Sequence, residues 1–428
     1  MHHFYYKDSE LYVEDVPLRN LVERYGTPLY VYSAQTIIDH YKRFDRSLRD
    51  IDHFICYAVK ANSNQRILKL LVDLGSGFDL VSGGELYRVL RAGADPQKCT
   101  FAGVGKTQSE IEEALQAGIY SFIVESEEEL LEIDKIAAKR STKAPVAFRL
   151  NPDVSALTHA KITTGTDLNK FGISLDLIDD VFEKCSRLEN IHCRGVQMHI
   201  GSQIQSIDPF LEAIQKVIPW VEKAKKKYGA EFFDIGGGIG IVYEKAMESG
   251  TEAWWQERNE LLTLNRYAEQ IVPLVKPLGM KILVEPGRVL VGNAGILVSR
   301  VIYVKKGIAK KFVIIDAAMN DLVRPAFYEA YHQIVPLKET AHGPLEVVDV
   351  VGPVCESSDC FAIDRLLPEV RAGDYLALLS AGAYGFSMAS NYNSRLKPAE
   401  VLVWGNQVQL VRKRESYQDL VALEEQLS

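Results

Sequence analysis

Cysteine is scarce in this chain. Its 428 residues include six, Cys56, Cys99, Cys185, Cys193, Cys355 and Cys360, and no two form a C-x-x-C pair. This favours neither a disulfide framework nor a structural zinc site, so any special cysteine is special for its reactivity. Positive charge is not in surplus either. A net charge of -8 offers no basic field for nucleic acid. No apolar run is long enough to span a bilayer, and Met1-His2-His3-Phe4 lacks the basic-then-apolar profile of a signal peptide. The expectation is a cytoplasmic protein with no membrane or nucleic-acid partner and no metal. Internal repeats, low-complexity segments and long charge runs are absent as well.

What is present is an ordinary globular composition, 47% hydrophobic and 25% charged, at a length that suggests more than one domain. Thr27-Pro28-Leu29-Tyr30-Val31-Tyr32-Ser33 reads as a strand, with Ser33 able to cap the following helix. Strand-like segments then recur at 53–59, 78–81, 99–103, 120–124, 145–150, 193–199, 231–235 and 281–285. Segments of helical periodicity, such as 110–117, 127–139 and 210–227, separate them. The strands are nearly continuous in apolar residues, as helix-covered parallel strands are. Eight β-α units in about 250 residues predict an α/β fold containing a (β/α)8 TIM-type barrel. After Gly287 the pattern changes to strands at 298–304, 312–315, 345–351, 375–379 and 401–411, the last with a Gly405-Asn406 hairpin turn. The expected organisation is a barrel over 33–285 and a second, mostly antiparallel β domain assembled from 1–32 and 286–428. The stretch 417–427 fits either a short amphipathic helix or a frayed tail.

Barrel enzymes build their sites on the loops after the strands. Lys60 ends the first strand, where a lysine is either ordinary solvated punctuation or a nucleophile. The other ends carry Asp79 and Ser82-Gly83-Gly84-Glu85, His199-Ile200-Gly201-Ser202, Asp234-Ile235-Gly236-Gly237-Gly238-Ile239-Gly240, and Glu285-Pro286-Gly287-Arg288. Singly, each has a bland explanation: a tight turn, a satisfied core histidine, a loop acid. Together they converge. Successive glycines clear side chains from backbone N–H groups that can face an anion, and the loops after strands seven and eight are the usual phosphate site of this fold. A phosphorylated cofactor with an aldehyde would take Lys60 as a Schiff base. If it also has a pyridine nitrogen, Glu285 can keep that nitrogen protonated and His199 can lie against the ring. Two decoys fail. Gly103-Val104-Gly105-Lys106-Thr107 lacks the first glycine of a phosphate-binding Walker loop, since position 100 is Thr, and the Gly236 to Ile241 run lacks the last small residue of the dinucleotide fingerprint.

The ordered set of motifs resembles the diaminopimelate decarboxylase family, of the alanine-racemase-like (fold type III) pyridoxal phosphate enzymes. The resemblance runs through Gly26 to Tyr32, Tyr57 to Asn62, His199 to Gln203, Gly236 to Gly240 and Glu285 to Arg288. It continues through Asp316 to Pro325, Cys355-Glu356-Ser357-Ser358-Asp359 and Ala381 to Gly385. It implies pyridoxal 5′-phosphate as cofactor, bonded to Lys60, with His199 stacked on the ring and Glu285 at the pyridine nitrogen. Asp79, Ser202, Gly237, Gly238, Pro286, Gly287, Arg288 and Tyr384 would complete its surroundings. The resemblance makes Cys355 the proton donor and Arg288, Arg324, Tyr328, Glu356 and Tyr384 the substrate contacts. Departures are Val289, where the family often has Ser, and Thr158-His159-Ala160-Lys161, where it often has Thr-His-Pro-Tyr.

The implied activity is decarboxylation of meso-2,6-diaminopimelate to L-lysine, the last step of lysine biosynthesis. That substrate keeps an amino-acid head at its far end. Arg288 and Arg324 offer fork donors for the carboxylate and Glu356 a countercharge for the ammonium. An ornithine- or arginine-type decarboxylase is the alternative, with a non-catalytic binding protein behind it. The resemblance further implies a homodimer with shared sites, Cys355 and Glu356 entering from the partner.

Overall fold

The structure is a computed structural model that describes residues 3–155, 170–258, 261–339 and 344–424. Thr158 to Lys161, including the loop position His159, lie outside the described residues. The chain divides into two compact units, one comprising His40–Gly240 and Glu260–Val289, the other Met1–Asp39, Ile241–Asn259 and Leu290–Ser428. Ile241–Asn259, which the sequence reading assigns to the barrel, therefore groups with the β-rich unit.

The first unit is a closed parallel barrel. Its strands are His53–Ala58, Gly77–Leu80, Cys99–Phe101, Ser121–Val124, Ala144–Asn151, Ile191–Met198, Phe232–Asp234 and Lys281–Val284. They pair in sequence order, and the eighth pairs with the first. Closure pairs each of the eight strands on both sides, and most strand positions are buried, by the covering helices outside and by side-chain packing inside. Helix starts follow the polar residues at the strand ends. Asn64, Ser82, Thr107, Ser126 and Thr263 each accept a backbone N–H at the head of a helix, Thr107 in a reciprocal capping box with Glu110. Each such cap contributes about 1 kcal/mol.

Where a barrel interior is normally apolar, this one carries buried polar groups. Asp79 stands between Ala58 and Thr100 on neighbouring strands, and Arg149, Gln197 and Asp234 form a second run of neighbours in register. All five polar residues are buried. Below them an apolar cluster of Cys56, Ile123, Ala147, Phe232 and Leu283 fills the interior. Burying polar groups costs free energy unless they are paired, so their gathering toward the C-terminal strand ends marks the site.

In the second unit the strand order is Cys360–Pro368, Leu345–Val351, Lys311–Ile315, Gly295–Lys306, Leu29–Ser33, Ala399–Trp404 and Gln407–Arg412. Tyr375–Leu378 also pairs with Gly295–Lys306, and Ile334–Pro336 pairs with Tyr375–Leu378. Among the described pairings of this sheet, two are parallel and the rest antiparallel. Leu29–Ser33 lies inside it, antiparallel to Gly295–Lys306 and parallel to Ala399–Trp404. Ser33 accepts the Thr36 N–H at 3.0 Å, starting the helix Ala34–Ser47. The hairpin turns at Gly405, whose φ of +57° suits glycine, so that Trp404 faces Gln407. Tyr417–Val421 is a short helix with a Ser416 capping box.

Two local expectations need correction. Residues 53–59 do not run as a strand to Lys60: the strand ends at Ala58, and Val59–Ala61 forms a 3-10 turn that carries Lys60. The strand Cys360–Pro368 escaped the sequence reading because Asp364 and Arg365 interrupt its apolar alternation.

Candidate active site

Lys60 emerges from its turn toward the second strand. Its Nζ donates to Asp79 Oδ2 at 3.0 Å, with Lys60 half-buried and Asp79 fully buried. Asp79 Oδ1 has no hydrogen-bond partner among the described residues, and neither does Gln197 Oε1. Such atoms are rare in folded interiors and mark places where another polar group is received.

Glu285 follows the eighth strand. Its carboxyl accepts from Gln197 Nε2 at 3.3 and 3.4 Å and lies 3.9 Å from His199 Nδ1. Burial, reinforced by the Asp234 and Asp79 carboxylates, raises Glu285 well above the usual carboxylate range against the opposing pull of Lys60. Burial likewise pushes Asp234 up to about 7. Burial thus favours the protonated form of the Glu285 carboxyl. His199 behaves oppositely. Burial first, then the positive Arg149 and Lys60, hold it well below the usual imidazole range. Gly237 N–H donates to His199 Nδ1 at 3.2 Å, so that nitrogen is an acceptor and the ring is neutral with its proton on Nε2.

The glycine run wraps closely around its neighbours. A Cβ on Gly236 would sit 2.3 Å from Met198 O, on Gly237 2.1 Å from Glu285 O, and on Gly238 2.3 Å from Gly201 O. Gly236 and Gly238 also hold φ of +71° and +105°. Only glycine permits this turn. Beside it Arg288 Nη2 donates to Ser202 Oγ at 2.9 Å, and Pro286 O accepts the Ala58 N–H at 3.1 Å. A Cβ on Gly287 would approach Ala61 Cβ and Ala58 Cβ to 3.1 and 3.2 Å, so this turn packs on the one that carries Lys60.

The barrel thus holds Lys60, Asp79, His199, Ser202, Gly237, Gly238, Glu285, Pro286, Gly287 and Arg288. Ser82-Gly83-Gly84-Glu85 is instead a helix start: Ser82 accepts the Glu85 N–H and Glu85 Oε2 accepts the Val81 N–H. Gln197 and Arg149 were missed by sequence reasoning. Arg149 Nη1 bonds both oxygens of buried Glu125 at 3.2 and 3.1 Å, and Arg149 Nη2 reaches His199 O at 3.5 Å. Their signal was available as a polar or charged residue inside an otherwise apolar strand.

The remaining residues belong to the β-rich unit. Cys355 and Glu356 are exposed on a loop tied down by buried Asp359, which accepts from Val354 N and Met319 N, both at 2.7 Å. Tyr392 OH donates to Glu356. Arg324 is buried, which excludes a surface ion-pair role, and its guanidinium lies 4.8 Å from the centre of the Tyr243 ring. Tyr328 is half-buried, its ring edge-on to Phe327. Tyr384 holds φ at +55°, a left-handed conformation uncommon for a bulky residue and typical of constrained functional positions.

The family model for the pyridoxal-dependent decarboxylase pyridoxal binding domain matches residues 34–292. The chain is 46% identical to a diaminopimelate decarboxylase of Vibrio cholerae, over 98% of each chain. It is 45% identical to one of Aquifex aeolicus, over 97% of this chain and 96% of that one. The solved diaminopimelate decarboxylase of M. jannaschii in complex with L-lysine superposes with a TM-score of 0.91 at 38% identity, covering 99% of this chain and 98% of that one. This chain belongs to the diaminopimelate decarboxylase family of pyridoxal-dependent decarboxylases. A lysine decarboxylase of Selenomonas ruminantium, 23% identical with a TM-score of 0.79 over 93% of this chain and 98% of that one, shares the fold.

Proposed function

We propose that this chain decarboxylates meso-2,6-diaminopimelate to L-lysine and carbon dioxide, the last step of lysine biosynthesis, with pyridoxal 5′-phosphate held at the C-terminal end of the barrel. The observation that carries the reading is the Lys60–Asp79 pair, facing the same interior as the buried Glu285 carboxyl. The donor set fits that cofactor. Lys60 supplies the amine that holds its aldehyde carbon, and the buried Asp79 Oδ1 and Gln197 Oε1 supply unsatisfied polar atoms. The Gly236 to Gly238 turn, Ser202 and Arg288 supply anion contacts for its phosphate. When bound, pyridoxal phosphate acts as the sink for the electron pair released as the carbon–carboxylate bond breaks.

The chain's own residues do the rest. Asp79 orients the Lys60 side chain. Glu285 would pair with the ring nitrogen and favour its protonated form. His199, neutral, offers a ring face without adding charge. Cys355 returns a proton from Sγ to the α-carbon. Arg324, Arg288, Tyr328, Glu356 and Tyr384 hold the far amino-acid head, the arginines its carboxylate and Glu356 its ammonium. That distal carboxylate is what distinguishes the substrate from ornithine or arginine. The Helicobacter pylori and M. jannaschii relatives solved with L-lysine support an amino-acid ligand of this kind.

A homodimer with shared sites belongs to the same proposal, supported by the outward placement of Cys355 and Glu356. So does residence in the cytoplasm, in keeping with cysteines that are all free. Incubation of the purified protein with meso-diaminopimelate, ornithine and arginine, with carbon dioxide and amine products measured, tests the proposal. Diaminopimelate is the expected substrate. Ornithine as the better substrate would refute the roles of Arg324 and Glu356, and a protein that takes up no pyridoxal phosphate would refute the enzyme reading.

A further inference from the structure

The buried Arg324 guanidinium has a specific aromatic platform. It lies over the Tyr243 ring at 4.8 Å, and the far side of the contact is fixed as well: the Tyr243 and His332 rings meet edge to face, 5.3 Å between centres at 81°. His332 is fully buried, with Nδ1 2.8 Å from Leu379 O. The chain around Tyr243 is pinned on both sides. Val242 O accepts from Asn293 Nδ2 at 3.4 Å, and Met247 N donates to Gln333 Oε1 at 3.0 Å. Gln333 also returns its carbonyl to Leu379 N, at 2.8 Å, so His332 and Gln333 are both tied to Leu379.

An arginine side chain is long, flexible and costly to order, and an aromatic ring against its guanidinium restricts the orientations it can take. Tyr243 stands three residues beyond Gly240, in the Ile241–Asn259 stretch that groups with the β-rich unit. We infer that Tyr243, backed by His332, is a positioning residue that aims Arg324 at the carboxylate of the substrate's far end, and thereby sets discrimination against ligands that lack that carboxylate. The inference rests on the proposed role of Arg324. Residue type alone gives no sign of it, because Tyr243 and Arg324 are distant in sequence.

The test compares two ligands of the holoenzyme, L-lysine and its decarboxylated counterpart cadaverine, which differ by that one carboxylate. Equilibrium binding is measured by calorimetry on the wild type, Tyr243→Phe and Tyr243→Leu. The wild type prefers L-lysine. Tyr243→Phe, which keeps the ring, retains the preference, whereas Tyr243→Leu narrows it by about tenfold, the equivalent of 1.4 kcal/mol. Equal weakening of both ligands by Tyr243→Leu, or an unchanged ratio, would overturn the inference, since a merely structural role moves both together. A wild type without preference for L-lysine would instead refute the Arg324 assignment beneath it. If Tyr243→Leu does not fold, Tyr243→Met is measured in the same way.

Discussion

Gly237 N–H donates to His199 Nδ1 at 3.2 Å, and this one bond decides which imidazole nitrogen carries the proton. With Nδ1 accepting, the ring is neutral, in agreement with burial and the nearby Arg149 and Lys60, which hold its pKa well below the ordinary value. The sign of the stability effect follows. A depressed folded-state pKa means that the unfolded chain binds the extra proton first, so the contribution is complete above the unfolded value of about 6.5 and is lost as pH falls toward the folded value. His199→Gln should therefore gain stability relative to the wild type on acidification, by about 1.4 kcal/mol at most per pH unit below 6.5. Denaturant unfolding of both proteins at pH 7 and pH 5 measures this. An identical difference at the two pH values would refute a neutral His199.

Replacing Lys60 with Ala should abolish turnover and the covalent link to the cofactor while the fold survives. Borohydride reduction followed by mass measurement reads the link, and carbon dioxide release reads the turnover. Because Lys60 is half-exposed, removing it costs little beyond leaving Asp79 alone in the interior. Near-normal decarboxylation by this variant would overturn the functional reading.

Gly237→Ala should destabilise the protein by about 3 kcal/mol, because its Cβ would meet the Glu285 carbonyl at 2.1 Å and backbone on both sides must shift. Gly105→Ala is the control, since no atom lies within 4 Å of its Cβ. Denaturant unfolding of the cofactor-free proteins compares them. Equal stability of the two variants would show that the glycine turn is not packed as described.

Cys355→Ala should lower kcat by about 10²–10⁴, the usual range for loss of a positioned proton donor. Mixing Lys60→Ala chains with Cys355→Ala chains and allowing subunit exchange should restore activity to one site of each mixed dimer. If exchange is verified by mass and no activity returns, the sites are not shared between subunits.

Much of the barrel was legible in the sequence for local reasons. Runs such as Lys281–Val284 are apolar because helices cover their outer face and packed side chains their inner one, and Ser33 announces the following helix through its own side-chain oxygen. The candidate lysine, the glycine run and the acid before Pro286 were visible as residue types at strand ends. Their consequences were not. That Lys60 meets Asp79, that Gln197 bonds Glu285 and that Gly237 sets the His199 tautomer depend on strand register and barrel closure. The same holds for the 3-10 turn at Val59–Ala61, the strand Cys360–Pro368 and the platform of Tyr243 under Arg324. By itself the sequence determined most of the short segments that become strands and helices and which reactive groups stand at their ends, since caps, turns and apolar periodicity act over a few residues. Only the tertiary structure decided which of those groups touch and which protons they keep, because burial and pairing are set by residues far away in the chain.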